Sequence, residues 1–266
     1  MRIVLTVMVA ALVVSTVANA GPLKCAPDAV KVGNVCVDKY EASVWAIDPI
    51  ASASLVKKVQ AGKATLAHLT AEGATQLSPS LSCSPGYPLS FPATGNWTPV
   101  PGSSPPSPGI YAVSIPGVLP SACVTWFQAE QACALSGKRL ATNQEWQLAA
   151  AGTPDGAPCV VSAMVPGNTG ANPGCVSGWG AFDMVGNVFE LVADWGDAAN
   201  GCTNWVAAFG GDLSCVGGPG SGFSNAPGML FRGGFHNDGA NAGVFAIDGD
   251  NVLSDSFIDV GFRCAR

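Results

Sequence analysis

The chain has 266 residues, of which only 11% are charged, and a formal net charge of −6. That balance excludes a nucleic-acid binder, because phosphate contacts require a basic surface. Beyond the N-terminal run, no stretch reaches the ~20 apolar residues that a membrane helix needs.

With 33 Gly and 20 Pro, much of the backbone must be turns and irregular loop, yet seven Trp and 48% hydrophobic residues still allow a sizeable core. Arg2, the apolar run 3–17 and Ala18-Asn19-Ala20 read as an export signal over 1–20, leaving a soluble chain that starts near Gly21. Cys25 lacks the small-residue context that lipidation needs. All ten cysteines lie beyond that site, and an even count in an exported chain points to disulfides. Zinc is the weaker reading: no Cys-x-x-Cys occurs, and the histidines are only His68 and His236. Cys25–Cys36, Cys159–Cys175 and Cys202–Cys215 are plausible local pairs, but spacing alone leaves the connectivity open.

Residues 25–45 predict a strand or hairpin start, with Gly33-Asn34 as its turn. A Pro/Ser/Gly-rich loop follows over 78–120, tied down at Cys83. Two helices come next. Thr125 with Gln128, and Thr142 with Glu145, form capping boxes in which each side chain satisfies the other residue's backbone N–H. Trp126, Ala129 and Cys133 share one buried face, and Trp146, Ala149 and Ala150 another, while Gly137 and Gly152 end the helices. After residue 155 short strands and glycine-rich loops are expected, with a turn at Gly186-Asn187 and closing strands at "MLFRGG" and "VGFRCAR".

The motifs "VCVDKYEASVW", "CVTWFQAEQACALSGKRLATNQEWQLAAAG", "DMVGNVFELVADW", "FRGG" and "VGFRCAR" resemble, in this order, the formylglycine-generating (sulfatase-modifying factor) superfamily over roughly 30–45 and 120–266. The resemblance implies an α+β, C-type lectin-like fold: two helices around a small twisted antiparallel sheet, loop-rich and disulfide-supported. On this reading 21–266 is one domain with an insertion at about 46–120. It also implies a bond between Cys133 and Cys264, a structural Ca²⁺ near Asn187 and Glu190, and no other required cofactor. The superfamily's oxidases hold copper with two thiolates shortly after the Gly-Gly. Those positions fall approximately on Asp238 and Gly243 here, and neither supplies the soft sulfur ligand that Cu(I) selects.

The tail "RGGFHNDGANAGVFAIDGDNVLSDSFIDVGFR" resembles more closely the variable proteins of diversity-generating retroelements, in which Asn codons are rewritten at their adenines. Altering the adenines of AAC cannot give Lys, Gln, Glu, Met or Trp, and residues 235–260 contain none of these. The resemblance implies a scaffold that carries exchangeable side chains over about 231–266. The candidate ligand-binding set is Phe235, His236, Asn237, Asp238, Ile247, Asp248, Asp250, Asn251, Asp255, Phe257, Ile258 and Asp259. Phe235, Ile247, Phe257 and Ile258 would be exposed apolar contacts, and His236 a surface contact, whereas Phe245 is expected in the core. The Asp-rich "IDGDN" could also take Ca²⁺, but it lacks a full EF-hand pattern and reads as a solvated loop. The expected role is a non-catalytic, exported binding protein, periplasmic, cell-surface or secreted. Its partner would be a protein or glycan on a cell surface. The alternative is a formylglycine-generating-type oxidase acting on a protein cysteine.

Overall fold

The computed structural model describes residues 23–80, 109–199, 201–216 and 223–266, with the backbone alone at 223–226. The expected export signal over 1–20, Cys83 and most of the Pro/Ser-rich loop lie outside the described residues.

The chain opens with an antiparallel hairpin of β1 (Ala29–Val32) and β2 (Val35–Asp38). Gly33 turns it at φ +58°, a value that favours glycine. β3 (Ala42–Ile47), α1 (Ala53–Gln60), α2 (Leu66–Ala71), β4 (Thr75–Leu77) and β5 (Gly109–Ser114) come next, and β3 sits between β4 and β5 in a three-stranded antiparallel sheet. The two short helices cover that sheet with Leu55, Val59 and Leu69, all buried against Trp45, Tyr111 and Val113. The sequence pattern did not announce them.

α3 (Trp126–Leu135), β6 (Arg139–Leu140) and α4 (Asn143–Ala150) are where the capping boxes placed them. Thr125 Oγ1 accepts from Gln128 N at 3.2 Å and Gln128 Oε1 from Thr125 N at 2.9 Å. Thr142 and Glu145 repeat the exchange at 3.1 and 2.9 Å. Gly137 ends α3 at φ +69°. Ala129, Ala132 and Cys133 are buried and small, so α3 approaches the sheets closely.

The rest is strand and loop: β7 (Phe189–Ala199), β8 (Thr203–Asn204), β9 (Leu213–Cys215), β10 (Phe223–Arg232), β11 (Ile247–Asp248), β12 (Val260–Phe262) and β13 (Cys264–Ala265). One sheet has the order β1-β2-β13-β6 and the other β12-β7-β10-β11-β9-β8. The small sheet is therefore not purely antiparallel, since β12 runs parallel to β7 and β11 parallel to β9. These two parallel pairings put the middle and the far end of the 235–259 stretch into the six-stranded sheet whose antiparallel β10–β7 pair holds its near end.

Four disulfides are described: Cys25–Cys36, Cys133–Cys264, Cys159–Cys175 and Cys202–Cys215. The three local pairs and the one implied by resemblance are all present. Cys123 is also disulfide-bonded, and no described cysteine is free. Cys133–Cys264 spans 131 residues, for which chain entropy gives about 5 kcal/mol. A buried ion cluster joins the same ends: Lys138 Nζ lies 2.8 Å from Asp28 and 2.7 Å from Asp38, and Arg266 lies 2.9 Å from Asp28. No described helix is long and apolar enough to cross a membrane.

Candidate functional site

The irregular stretch hangs between two fixed points. Arg232 ends β10 and Val260 starts β12, and each is hydrogen-bonded into β7. Gly233 and Gly234 then turn the chain at φ +89° and +80°. A Cβ at Gly233 would sit 2.8 Å from Met184 O and one at Gly234 2.5 Å from Ala242, so the Gly-Gly is a close-packing requirement. From there the chain follows an open course, with the one-turn 3₁₀ segment Gly239–Asn241 and then β11.

The expected surface is only partly exposed. Asn237, Asp250 and Ile258 face solvent, Ile258 with 49% of its area. Asp238, Ile247, Asp248, Asn251, Asp255 and Asp259 are half-buried. Three expectations need correction. Phe235 and Phe257 are not free apolar contacts, because both pack on the main core, Phe235 with its ring centroid 5.6 Å from that of Phe189. His236 is not a surface contact, since it is 96% buried, edge-on to Phe235, with its backbone N–H donating to Asn187 O at 3.0 Å. Phe245, expected in the core, instead lines a cavity and meets Phe209 in a T-shaped contact at 5.2 Å.

The structure gathers the tail around two concavities. The smaller, about 160 Å³, is lined by Asp248, Asn251, Phe257 and Asp259 against Phe189 and Phe231. Its carboxyls are hard to ionise. Burial, with Asp250 adding to it, raises Asp248 to about 7, and burial raises Asp259 as well. Nearby, burial raises Asp238 to about 6 although its Oδ2 accepts from Phe235 N. Asp255 lies outside both cavities.

The larger cavity, about 360 Å³, lies between α4, the loop closed by Cys202–Cys215, and the tail. Trp205 and Phe209 come from the loop, Phe245 and Ile247 from the tail, Asn143 and Gln147 from α4. Arg232 forms its back. It stacks over Trp146 at 4.7 Å and donates to Ala246 O at 2.7 Å, Val244 O at 3.1 Å, Asn143 Oδ1 and Gln147 Oε1. Burial lowers its pKa to about 10 against the attraction of Asp212. Of the predicted set only Ile247 reaches this cavity. The others were missed because Trp205 and Phe209 stand in a loop without period. Their one signal was two aromatics enclosed by a cysteine pair.

The positions matching the superfamily's thiolates are filled otherwise. A Cβ at Gly243 would lie 2.1 Å from Asp212 Oδ2, which is held there by Phe245 N at 2.8 Å. The expected calcium ligands also have other partners. Glu190 accepts from Trp146 Nε1 at 2.7 Å and pairs with buried Arg263. Asn187 Oδ1 accepts from Gly167 N at 2.8 Å, and its Nδ2 donates to Glu41. These oxygens are consumed by protein donors, so the two residues do not fit a Ca²⁺ site, which needs several free oxygens.

Two helices against sheets, a disulfide between α3 and the last strand, and a long irregular excursion before the last strands define a C-type lectin-like fold. Residues 49–174 match the sulfatase-modifying factor enzyme 1-like domain family. That match bears out the resemblance, takes in the stretch before residue 120 that the motifs did not reach, and stops short of the tail. No curated protein sequence matches the chain. Among solved structures, the chain is similar to the Major Tropism Determinant I1 variant at 23% identity over 53% of this chain and 37% of that one, with a TM-score of 0.40. The M1 variant aligns at 17% identity over 90% of this chain and 52% of that one, TM-score 0.47. PvdO from Pseudomonas aeruginosa aligns at 15% identity over 87% and 80%, TM-score 0.37. The chain thus spans about half or less of the tropism determinants it matches.

Proposed function

We propose that this chain is an exported, non-catalytic binding protein that offers its 235–259 surface to a protein or glycan ligand at a cell surface. The observation that carries this is the contrast between frame and excursion. Both ends of the stretch are locked into β7, whereas Asn237, Asp250, Ser254, Ser256 and Ile258 face outward from it. Exchange of such side chains leaves the frame's contacts intact. The tail pattern, with its absence of residue types unreachable from AAC, fits diversification of that surface.

An oxidase reading has little support in the site. No described cysteine is free, and the space at Gly243 is taken by Asp212. A structural Ca²⁺ elsewhere stays compatible with the binding role, and calcium addition with a thermal-shift readout tests it.

The decisive experiment has two arms. Asn237, Asp250, Asp255 and Ile258 are replaced together by Ala, and binding to a ligand from a cell-surface protein and glycan screen is compared. At least a tenfold loss with unchanged melting temperature is expected, and unchanged binding would refute the assignment. In the genome, a near-copy of the DNA for residues 231–266 that differs at adenines, beside a reverse transcriptase, is expected. Lack of both ends the diversification claim and leaves binding to the first arm.

A further inference from the structure

The charge of this chain is divided unevenly. Residues 140–266 hold twelve of its 18 acidic residues but only Arg232, Arg263 and Arg266 of its 12 basic ones, and no lysine. None of the three arginines is a free surface cation. Arg263 is wholly buried on Glu190, Arg232 is buried behind the larger cavity on four neutral oxygens, and Arg266 is paired with Asp28 just before β1.

The cavity that Arg232 backs is apolar at its mouth. Trp205 and Phe209 are 39% and 47% exposed, large values for aromatics. Both are held in place: Trp205 Nε1 donates to Phe245 O at 2.9 Å, and the loop that carries them is closed by Cys202–Cys215. Exposed Asp155 and Asp194 flank it. Asp155 accepts from Val244 N at 3.0 Å and Asp194 from Asn143 N at 2.6 Å, so both carboxylates are fixed to the cavity's own wall segments. Arginine has no acceptor, so Asn143 must turn its oxygen to Arg232. That leaves its NH₂ as a donor at the cavity wall.

We infer that this cavity is a docking site for a basic protein segment that inserts one aromatic or large aliphatic side chain. The apolar side chain would fill the space between Trp205, Phe209 and Ile247. A backbone carbonyl beside it would take the Asn143 NH₂, and flanking Lys or Arg would meet Asp155 and Asp194. Charge complementarity selects this occupant. An acidic segment would face two fixed carboxylates with no free cation on the described surface of 140–266. A buried anchor inside a charged rim is the usual division between affinity and steering.

This deepens the proposed binding role but does not share its fate, because five of the six groups involved, Asn143, Asp155, Asp194, Trp205 and Phe209, lie outside the tail. The test uses the full chain and three synthetic ten-residue peptides in a Gly/Ser background: one with Phe flanked by two Lys on each side, one with that Phe replaced by Ser, and one with the Lys replaced by Glu. Calorimetry at low salt is expected to show the first binding at least tenfold tighter than either control. Its affinity should fall about three- to tenfold from 50 to 300 mM salt, as charge contacts do. Phe209→Ser, which removes no hydrogen bond, is expected to cost at least fivefold, and Asp155→Asn with Asp194→Asn at least threefold with a flatter salt dependence. Equal binding of the Lys and Glu peptides, no binding at millimolar peptide, or a neutral oligosaccharide binding through Phe209 in their place would each overturn the inference. Unchanged ligand binding by the fourfold tail variant, with these peptide results intact, would refute only the tail reading.

Discussion

Trp205 Nε1 donates to the carbonyl oxygen of Phe245 at 2.9 Å, and this bond makes the Cys202–Cys215 loop and the C-terminal excursion one unit. The parallel pairing of Ile247 with Ser214 and Asp248 with Cys215 extends the same junction. The excursion is therefore supported on two sides, by β7 through its ends and by the disulfide loop through its middle.

If that support matters, removing the Cys202–Cys215 bond by a double Ser substitution should loosen the tail while the helices stay firm. The closed loop spans 13 residues, so the chain-entropy model gives a loss of about 3 kcal/mol. Hydrogen exchange is expected to speed at least tenfold over 203–215 and 244–248, with no change over 126–150. Uniform acceleration across the chain would mean that the loop belongs to the global core.

The frame and the exchangeable side chains should also separate in stability. Asn237→Ser, Asp250→Tyr and Ile258→Thr act on exposed positions and should each stay within about 0.5 kcal/mol of the parent. Phe235→Ser and Phe257→Ser empty space against the main core, where truncating a large apolar side chain costs roughly 2–5 kcal/mol. Urea unfolding of the five variants measures this. Equal costs in both groups would show that the tail is simply part of the core.

Much of the frame could be read from local chemistry. Thr125, Gln128, Thr142 and Glu145 announced both capping boxes, because those bonds lie within four residues. Gly33 and the Gly186-Asn187 turn were legible for the same reason, with φ values of +58°, +73° and +62°. The helices α1 and α2 were not, because neither has a capping box and at eight and six residues each is too short to show a sustained period. His236 shows where composition misleads: a lone polar residue in a scattered stretch reads as surface, yet the turn at Asn187, far away in sequence, folds over it. The groove of Trp205, Phe209 and Asn143 needs three segments brought together by tertiary contacts, so no single window of sequence displays it.

Acid titration should give an unusual stability profile. Burial raises Asp183 and Asp238 to about 6 and Asp248 to about 7, from an ordinary 3.8. Between roughly pH 4 and 7 the folded chain then holds protons that the unfolded chain has released, so stability rises as pH falls through that window. Below it the sign reverses. Glu145, held low by its hydrogen bond from Arg139, and Asp28, where Lys138 and Arg266 outweigh burial, contribute stability that is lost as they are protonated. The melting temperature is expected to be at least about 3 °C higher at pH 5 than at pH 7.5. Asp248→Asn should flatten that difference, and a melting temperature that rises from pH 5 to 7.5 would contradict the assignment.

The contact between Gly243 and Asp212 bears on whether this domain could ever host the superfamily's copper chemistry. Asp212 is 99% buried, its carboxylate held by Phe245 N, and it occupies the space a side chain at 243 would need. Gly243→Ala should therefore cost about 1–3 kcal/mol, the usual range for overpacking a filled site. Asp212→Ser should relieve the clash at the expense of the Phe245 bond, so the two substitutions should be strongly non-additive in a double-mutant cycle. The pair Asp238→Cys with Gly243→Cys is expected to destabilise the fold and to gain no Cu(I) binding. Stoichiometric Cu(I) uptake by a folded double-cysteine variant, measured by chelator competition, would show instead that the site is a copper centre lacking only its sulfurs.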